Sequence, residues 1–448
     1  MSKKKQNLLI FENSSHFDYE KSKSNLNISF NRITFIFFLF LTLACIFSLK
    51  VIYLGSLENN IFKKKILKSD NRSTIVDRKG AIIAKSVITK NVGINPNLVI
   101  DKKKLLINLQ LIFPNKDFIE IKKKINGKKF FYLQKKISNE KYTELILLGD
   151  KSIITEQKIS RIYPHENLFS HIIGQIDDDN NGISGLEKSF DYELKTLHEQ
   201  LKLTLDTELQ YLIREELNYF SNIFRNIGSA AILMNVNNGE ILSMVSLPDF
   251  NLNKREKIND VNYINRVSKG VYELGSVFKT FTIAAALNED VIDPETEFKN
   301  LPKSTTCAGR PIREYDMEIP SNLTAEQILI RSGNIGSLRI AQKIGIEKFK
   351  SFLENIGILD KIDFDIEEVG QPIPFRWGKC KLATSSFGHG ITTTPLQLAK
   401  GYSIITNGGY DIKPTVIKKH FKEKNKKNKI LKKNVSDKIN LILRKIVS

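Results

Sequence analysis

The chain has 448 residues, with 69 lysines and arginines against 49 aspartates and glutamates, a formal net charge of +20. This length predicts two or three folded domains, and the 41% share of hydrophobic residues excludes a wholly disordered basic chain. The positive charge would suit nucleic acid, an anionic membrane surface or an anionic polymer, but lysine, asparagine and isoleucine abound throughout, as a general coding bias would produce.

The cysteines and acidic runs argue against metal chemistry. Cys45, Cys307 and Cys380 are widely spaced and form no C-x-x-C pair. The spacing therefore predicts three thiols with no disulfide framework and no structural zinc. The acidic run Asp177–Asp179 lacks the regular ligand spacing and closing glutamate of a calcium loop, which favours a solvated loop. We expect neither a metal nor a cofactor.

The first strong structural signal is an apolar run from Ile33 to Leu54. Its length of about 22 residues is enough to cross ~30 Å of hydrocarbon as a helix. A cleaved signal peptide is the alternative, but the run is too long, starts too late and has no clean cleavage site. Basic residues before the run predict a cytoplasmic tail over residues 1–32, although Lys50 and Lys63–Lys65 weaken the asymmetry. The remainder would then lie in the periplasm, anchored in the inner membrane and away from nucleic acid.

Residues 55–200 read as a first exported domain without catalytic motifs. Arg72–Ala84 carries a D-R-K-G turn between two apolar runs, which predicts a hairpin. From Asp101 to Lys158, lysine-rich pieces alternate with leucine- and isoleucine-rich ones at spacings that predict short amphipathic helices and edge strands.

A change of pattern at Leu201 predicts a second domain over residues 201–448. The segment L-K-L-T-L-D-T-E-L-Q indicates a strand that passes through an Asp-Thr cap into an amphipathic helix. Gly228–Ser246 predicts a hairpin around an N-N-G turn. Helical stretches follow, so the fold class is α+β. The lysine-rich segment Lys418–Lys433 is low in complexity and predicts a solvated loop.

Two polar pairs in this second domain can carry chemistry. Ser276 and Lys279 stand three residues apart at the start of a helical run, so the lysine amine can reach the serine hydroxyl. A serine needs a base at neutral pH, and a desolvated lysine can lose its proton and serve as one. Ser332 and Asn334 would project from a loop between two helices, where small polar groups can relay a proton and hold an amide. Each pair alone is weak, since S-x-x-K also fits a capped helix.

Together the two pairs follow the motif order S-x-x-K and S-x-N, which K-T-G completes in penicillin-binding proteins and class A β-lactamases. The chain resembles the class B penicillin-binding proteins, which are membrane-anchored D,D-transpeptidases that cross-link peptidoglycan. The resemblance extends over residues 33–448 and rests on R-S-T-I-V-D-R-K-G, R-I-Y-P, G-I-S-G-L-E-K-S-F-D, L-T-L-D-T-E-L-Q, the two pairs above and S-F-G-H-G-I-T-T-T-P-L-Q-L-A. The S-F-G-H-G-I form resembles the septal, FtsI-type branch more than the elongation branch.

The resemblance implies a fold and a mechanism. An elongated non-catalytic domain, the pedestal or dimerisation domain, would precede a transpeptidase domain with a serine β-lactamase-like fold. Ser276 would attack the penultimate D-alanine of a stem peptide, with its own N–H as half of an oxyanion hole, and Lys279 would take its proton. Ser332 would pass a proton to the leaving amine, and Asn334 would hold the peptide amide.

The resemblance also implies ligands and partners. An amine of a neighbouring stem peptide would attack the acyl-enzyme and form the cross-link. Carboxypeptidase activity is also expected. β-Lactams would acylate the same serine and remain bound to it. The anchor would pair with a polytopic glycosyltransferase and other division proteins in the membrane.

Two departures from the family pattern open alternatives. Leu274 stands where the family commonly has proline, and no K-T-G or K-S-G follows Gly390. In the family this motif lies on a strand that forms one wall of the cleft. We therefore expect that the chain ends prematurely at Ser448 and that the polypeptide as written lacks this wall. A catalytically inactive, truncated divisome scaffold is therefore an alternative, and an elongation-type transpeptidase is another. His389 and Cys307 do not indicate a metal site or a cysteine protease, because neither has a partner in a recognisable motif.

Overall fold

The structure, a computed structural model, describes residues 32–53, 72–197, 199–254, 261–418 and 428–447. The chain divides into two compact units after residue 69. In the first unit, helix α1 spans Arg32–Tyr53, and its 22 residues and mean hydropathy of 2.5 make it long and apolar enough to cross a membrane. The predicted span from Ile33 agrees with this helix, whereas Leu54, most of the predicted tail and most of the lysine-rich loop lie outside the described residues.

The second unit begins with a sheet of five strands. These are β1 (Ile75–Val76), β2 (Ile82–Ile94), β3 (Phe131–Ile137), β4 (Ile153–Ile162) and β5 (Leu201–Lys202). The long strand β2 runs antiparallel to β1, β3 and β4, whereas β5 adds to β1 in parallel. The Asp77 carboxylate closes the β1–β2 turn by accepting the backbone N–H groups of Lys79 and Ala81, both at 2.8 Å. The predicted hairpin is therefore confirmed.

Short helices surround this sheet: α2 (Lys102–Ile112), α3 (Phe118–Ile125), α4 (Asn139–Leu147), α5 (Ser170–Ile173), α6 (Gly185–Ser189) and α7 (Asp191–Thr196). Asp101 and Asp117 begin α2 and α3, and each carboxylate accepts two backbone N–H groups that the helix leaves unpaired. Leu109 and Ile125 from these helices are buried against Ile94 of β2 in one apolar cluster. The amphipathic helices and strands predicted for this stretch are thus present.

A buried ionic cluster connects the sheet to α6. The fully buried carboxylate of Glu187 lies 2.8 Å from Arg72 Nε and 2.7 Å from Arg161 Nε. Arg72 Nη1 also lies 2.6 Å from Asp191 Oδ1. One buried carboxylate therefore faces two guanidinium groups that folding has removed from water. Such a pairing is costly to break, because the remaining charges stay buried.

The later part of the unit carries the motifs predicted to be catalytic. Its helices are α8 (Thr207–Phe224), α9 (Lys279–Asn288), α10 (Ala325–Ile330), α11 (Asn334–Ile344), α12 (Ile346–Asn355), α13 (Lys379–Ser385), α14 (Pro395–Thr406) and α15 (Lys433–Val447). In the described residues its strands form antiparallel pairs: β6 (Ser229–Met234) with β7 (Ile241–Leu247), β8 (Glu297–Phe298) with β11 (Leu323–Thr324), and β9 (Ser304–Cys307) with β10 (Arg310–Arg313). Asp206 caps α8, as the Asp-Thr pattern predicts, and β6 and β7 form the predicted N-N-G hairpin.

Helix α9 is the centre of the apolar core in this part. All residues from Lys279 to Leu287 are buried. Phe281 belongs to one apolar cluster with Ile340 of α11, Ile405 of α14 and Ile439 of α15. A helix that is packed on all sides has little freedom to move, so the side chains of its first turn, including Lys279, have fixed positions.

The two exported domains predicted from the sequence share a core at their junction. Strand β5 follows the predicted boundary between residues 200 and 201, yet it pairs with β1. One apolar cluster joins Ile75 and Leu186 from before the boundary to Leu203, Ile241 and Leu396 from after it. The chain therefore passes the boundary without leaving the core, and the position of the boundary stays a prediction.

The expectation of three unpaired thiols is wrong. Cys307 and Cys380 form a disulfide, with their Cα atoms 5.5 Å apart and a sequence separation of 73. The β9–β10 hairpin packs against the start of α13, and sequence spacing does not encode such a tertiary contact. Cys45, in α1, is free. In the residues that the structure describes, no group of three or more histidines, cysteines, aspartates or glutamates could hold a metal ion.

Candidate active site

Ser276 lies in a short 3-10 turn, Gly275–Phe278, that leads directly into α9. Gly275 has a φ of +65°, in the left-handed region that favours glycine. Phe278 behind the serine is fully buried and packs edge-to-face on Phe281, with ring centroids 5.3 Å apart. Ser276 itself is exposed, so the hydroxyl predicted to be the nucleophile is accessible to solvent while the residues behind it are tightly packed.

Lys279 places an amine next to this hydroxyl. Its Nζ lies 3.1 Å from Ser276 Oγ, although the residue is only 1% exposed. Burial lowers the pKa of Lys279 from 10.5 to about 8, against an opposing attraction from the Glu314 carboxylate. A useful fraction of the amine is therefore neutral near physiological pH, and its lone pair can accept the serine proton. The contact expected from the i, i+3 spacing is present.

Ser332 lies on the other side of the amine. Its Oγ is 2.9 Å from Lys279 Nζ, and its backbone carbonyl oxygen also accepts from Nζ. Ser332 lies in the loop between α10 and α11 with a φ of +55°, and both of its oxygens face the lysine. An ammonium has three N–H donors, and the two hydroxyls and this carbonyl supply three acceptors. A proton on Nζ can therefore move toward either serine.

Asn334, the fourth predicted residue, begins α11 beside this cluster. Its Nδ2 donates to the carbonyl of Arg313 at 2.8 Å, and its backbone N–H donates to Glu314 Oε2 at 2.6 Å. The structure thus joins Ser276, Lys279 and Ser332 in direct contact and holds Asn334 against the end of β10. Its side-chain oxygen takes no part in the bond to Arg313 and is the atom that could accept a peptide N–H.

The segment Ser386–Gly390 packs closely against the turn Gly275–Phe278 that contains Ser276. Gly388 has a φ of +80°, and a Cβ there would lie 2.0 Å from the carbonyl oxygen of Gly275. Only glycine permits this approach. Nearby, the backbones of Tyr272 and Thr393 exchange two hydrogen bonds, at 2.9 and 3.0 Å. This segment therefore forms a wall next to Ser276.

His389 belongs to that wall but contacts a different group. Its Nδ1 lies 3.4 Å from Glu273 Oε2, and the side chain is 72% exposed. The ring stacks on Phe387 with centroids 6.5 Å apart. The histidine thus lies at the rim beside Glu273 rather than in the lysine cluster.

Glu314 is the residue at this site that sequence reasoning missed. It is 7% exposed, and its two carboxylate oxygens accept the backbone N–H groups of Asn334 and Ile335 at 2.6 and 2.8 Å. A carboxylate is favourable at a helix N-terminus, where N–H groups lack partners. One signal in the sequence could have found it: Glu314 follows Ile312 at the two-residue spacing of a strand, so an extended chain puts its acidic side chain on the same side as the apolar Ile312. Strand β10 itself ends one residue earlier, at Arg313.

Comparison with known proteins finds two family domains in the chain. Residues 229–448 match the penicillin binding protein transpeptidase domain, and residues 68–217 match the penicillin-binding protein dimerisation domain. These domains, with a serine and a buried lysine in contact at the first turn of a core helix, are those of a penicillin-binding protein. With the dimerisation domain before the transpeptidase domain, the chain belongs to the class B penicillin-binding proteins, which confirms the resemblance drawn from its motifs.

Several curated proteins are similar to this chain. A probable peptidoglycan D,D-transpeptidase FtsI from Caulobacter vibrioides is 27% identical over 78% of this chain and 59% of its own length. Stage V sporulation protein D from Bacillus subtilis is 26% identical over 82% of this chain and 62% of its own length. A peptidoglycan D,D-transpeptidase FtsI from Buchnera aphidicola is 28% identical over 91% of this chain and 75% of its own length. The chain thus spans less than two thirds of the Caulobacter and Bacillus relatives.

We expect acylation of Ser276 by a β-lactam to become faster as the pH rises. The prediction takes the neutral amine of Lys279 as the base; with a pKa of about 8, the neutral fraction grows about tenfold from pH 6 to pH 7 and levels off above about pH 9. The measurement is the second-order rate constant for a fluorescent penicillin from about pH 5.5 to pH 9.5. A rate that is flat or falls over this range would contradict the assignment of Lys279 as base.

Proposed function

We propose that the protein is a peptidoglycan D,D-transpeptidase that cross-links stem peptides through an acyl-enzyme at Ser276. The observation that carries this proposal is the 3.1 Å contact between Ser276 Oγ and Lys279 Nζ at the buried start of α9. This contact lies within the matched transpeptidase domain, and two of the relatives above are named peptidoglycan D,D-transpeptidases.

The first half-reaction forms an ester. Ser276 Oγ attacks the carbonyl carbon of the penultimate D-alanine while its proton passes to Lys279 Nζ. The C–N bond to the terminal D-alanine then breaks, and the proton reaches the leaving amine through the Ser332 hydroxyl, 2.9 Å from Nζ. The Ser276 backbone N–H would stabilise the oxyanion, and Asn334 would hold the peptide.

The second half-reaction transfers the acyl group. An amine on a neighbouring stem peptide attacks the ester carbonyl and gives up a proton, which returns through Lys279 to Ser276 Oγ as the ester bond breaks. A β-lactam would form the same ester and leave no amine product, so it would remain on the serine. A carboxypeptidase reaction, in which water is the acceptor, has no support in the names of these relatives.

We assign the enzyme to septal wall synthesis, with α1 as a single-pass anchor and residues beyond it in the periplasm. Two of the quoted relatives carry the name FtsI, and the Cys307–Cys380 disulfide suits an oxidising compartment rather than the cytosol. Helix α1 has an apolar surface with none of it buried within the chain, which would let it pair with a polytopic glycosyltransferase or other division proteins. Depletion would then give filamentous cells, whereas an elongation-type enzyme would alter cell width.

One experiment tests reaction and orientation together. Intact cells that express the protein from its own gene, with an affinity tag, are treated with a fluorescent penicillin that does not cross the inner membrane. We expect the purified protein to be labelled and the proteolytic peptide that contains Ser276 to carry the adduct. An adduct on another residue, or no adduct even after lysis, would refute the acyl-enzyme. Labelling that requires lysis would refute the periplasmic orientation, and cells pretreated with unlabelled penicillin are the control.

A further inference from the structure

The loop that places Ser332 next to Lys279 is followed by helix α11, and the first turn of this helix is bound by the side chain of Glu314. The Glu314 carboxylate accepts the N–H groups of Asn334 and Ile335, the first two residues of the eleven-residue helix α11. The neighbouring carbonyl of Arg313 accepts from the Asn334 side chain at 2.8 Å. Arg313, the last residue of β10, and Glu314, directly after it, thus bind the start of α11 through three hydrogen bonds.

These hydrogen bonds bear on the position of Ser332, because Ser332 lies two residues before Asn334, where the bonded turn of α11 begins. Ser332 has a φ of +55°, which an L-residue other than glycine rarely adopts. Such a conformation persists only where the surroundings enforce it. The hydrogen bonds from Asn334 and Ile335 to Glu314 provide that constraint on one side, and the bonds from Lys279 to Ser332 provide it on the other.

We propose that Glu314 is the positioning residue of this active site: its carboxylate fixes the first turn of α11 and thereby holds Ser332 within reach of Lys279. The inference rests on the proposed transpeptidase function, because it assigns Glu314 a part in the acylation of Ser276. Glu314 does not contact the substrate in this scheme, and it acts through Ser332 and Lys279.

The buried charge of Glu314 also acts on the lysine directly. Its attraction opposes the effect of burial and keeps the pKa of Lys279 from falling further. Some of the other ionisable groups on the helices packed against α9 form ion pairs at the surface, as in Lys348–Glu289 and Lys445–Glu326. Tyr402 of α14 donates to Val277 O and Thr280 Oγ1 rather than to Lys279. Among the described residues, the charge whose attraction raises the pKa of Lys279 is that of Glu314.

The disulfide supports the hairpin that carries Glu314. Cys307 ends β9, whose partner β10 ends at Arg313, and Cys380 lies in the first turn of α13. Cys307 pairs with Arg310 across the hairpin turn, so the covalent bond ties the turn end of this hairpin to the helix that leads into the Ser386–Gly390 wall. Glu314 lies at the opposite, open end, where its backbone N–H donates to the Lys303 carbonyl at 3.0 Å. The hairpin therefore connects α13 at its turn end with α11 at its open end.

The test compares Glu314→Gln and Glu314→Asp in the protein expressed from its own gene, with rates of acylation by a fluorescent penicillin measured across pH. Glu318→Gln is the matched control, because it makes the same change at an exposed glutamate four positions away. We expect Glu314→Gln to lower the plateau rate about tenfold to a hundredfold and to move the midpoint of the pH profile to lower pH, since the lysine loses its carboxylate neighbour. Glu314→Asp keeps the charge, so it should keep the midpoint and recover part of the rate.

The outcomes separate this inference from the proposed function. If the unmodified protein forms no adduct at Ser276, the transpeptidase proposal itself fails. If it does, and Glu314→Gln matches Glu318→Gln in rate and midpoint, only the positioning role is overturned. A lower rate with an unmoved midpoint would also overturn it, because a general loss of structure predicts that result. Should Glu314→Gln not fold, Glu314→Asp decides: the unmodified rate would overturn the proposal, and so would a lower rate together with a lower unfolding midpoint. A lower rate with the unfolding midpoint of Glu318→Gln would support it, because the structure is then intact and only the reach of the carboxylate has changed.

Discussion

Replacing Lys279 by arginine is expected to slow the acylation of Ser276 by about a hundredfold to ten-thousandfold. Arginine keeps the positive charge and the ability to donate to the two oxygens of Ser332. Its guanidinium stays protonated at any pH the protein tolerates, so it cannot take the serine proton. Lysine can, because burial lowers its pKa to about 8. The rate of labelling by a fluorescent penicillin measures the effect.

The matched control is Lys343→Arg, the same substitution at an exposed position of α11, which should leave the rate within about a factor of three. Since a guanidinium is bulky for a site that is only 1% exposed, a Lys279→Ala variant provides a second arm. It should be nearly inactive and should regain activity when a small primary amine is added, because the free amine can occupy the vacated space. A Lys279→Arg protein that is labelled at the unmodified rate would show that another group is the base.

The parts of the fold that the sequence predicts are those that local geometry determines. The contact of Ser276 with Lys279 follows from a spacing of three residues in a helical turn. The aspartate cap of α8 and the β6–β7 hairpin follow from single residues and short turns with strong conformational preferences. In each case the partners are near in sequence, so the backbone has few ways to arrange them.

The parts that the sequence does not predict depend on the whole fold. Cys307 and Cys380 are separated by 73 residues, and only the packing of the β9–β10 hairpin on α13 brings them together. Glu314 has no motif around it, and its importance appears once α11 is seen to begin at its carboxylate. The shared core around Ile75 and Leu396 could not be predicted either, because its members are also far apart in sequence. A change of sequence pattern indicates where new helices and strands begin, but not whether two domains have separate cores.

A second substitution with a large expected effect, this time on stability, lies in the buried ionic cluster of Glu187, Arg72 and Arg161. Glu187 accepts from Arg72 Nε and Arg161 Nε at 2.8 and 2.7 Å, and all three side chains are at most 1% exposed. The Arg161 Nη2 atom is already buried without a hydrogen-bond partner among the described residues. The cluster therefore has no spare acceptor to compensate for the loss of a carboxylate oxygen.

We expect Glu187→Gln to lower the free energy of unfolding by about 3–5 kcal/mol. The amide has nearly the same shape, but one carboxylate oxygen becomes an NH₂ donor that faces an arginine N–H, and two buried guanidinium groups lose their shared negative charge. In urea this corresponds to a midpoint lower by about 1–2 M for a slope near 3 kcal/mol/M, measurable by pulse proteolysis of the full chain in detergent. Glu199→Gln, at an exposed glutamate in the same region, is the control. A Glu187→Gln midpoint equal to that of Glu199→Gln would mean that the cluster contributes no net stability, so that the cost of burying its charges cancels their attraction.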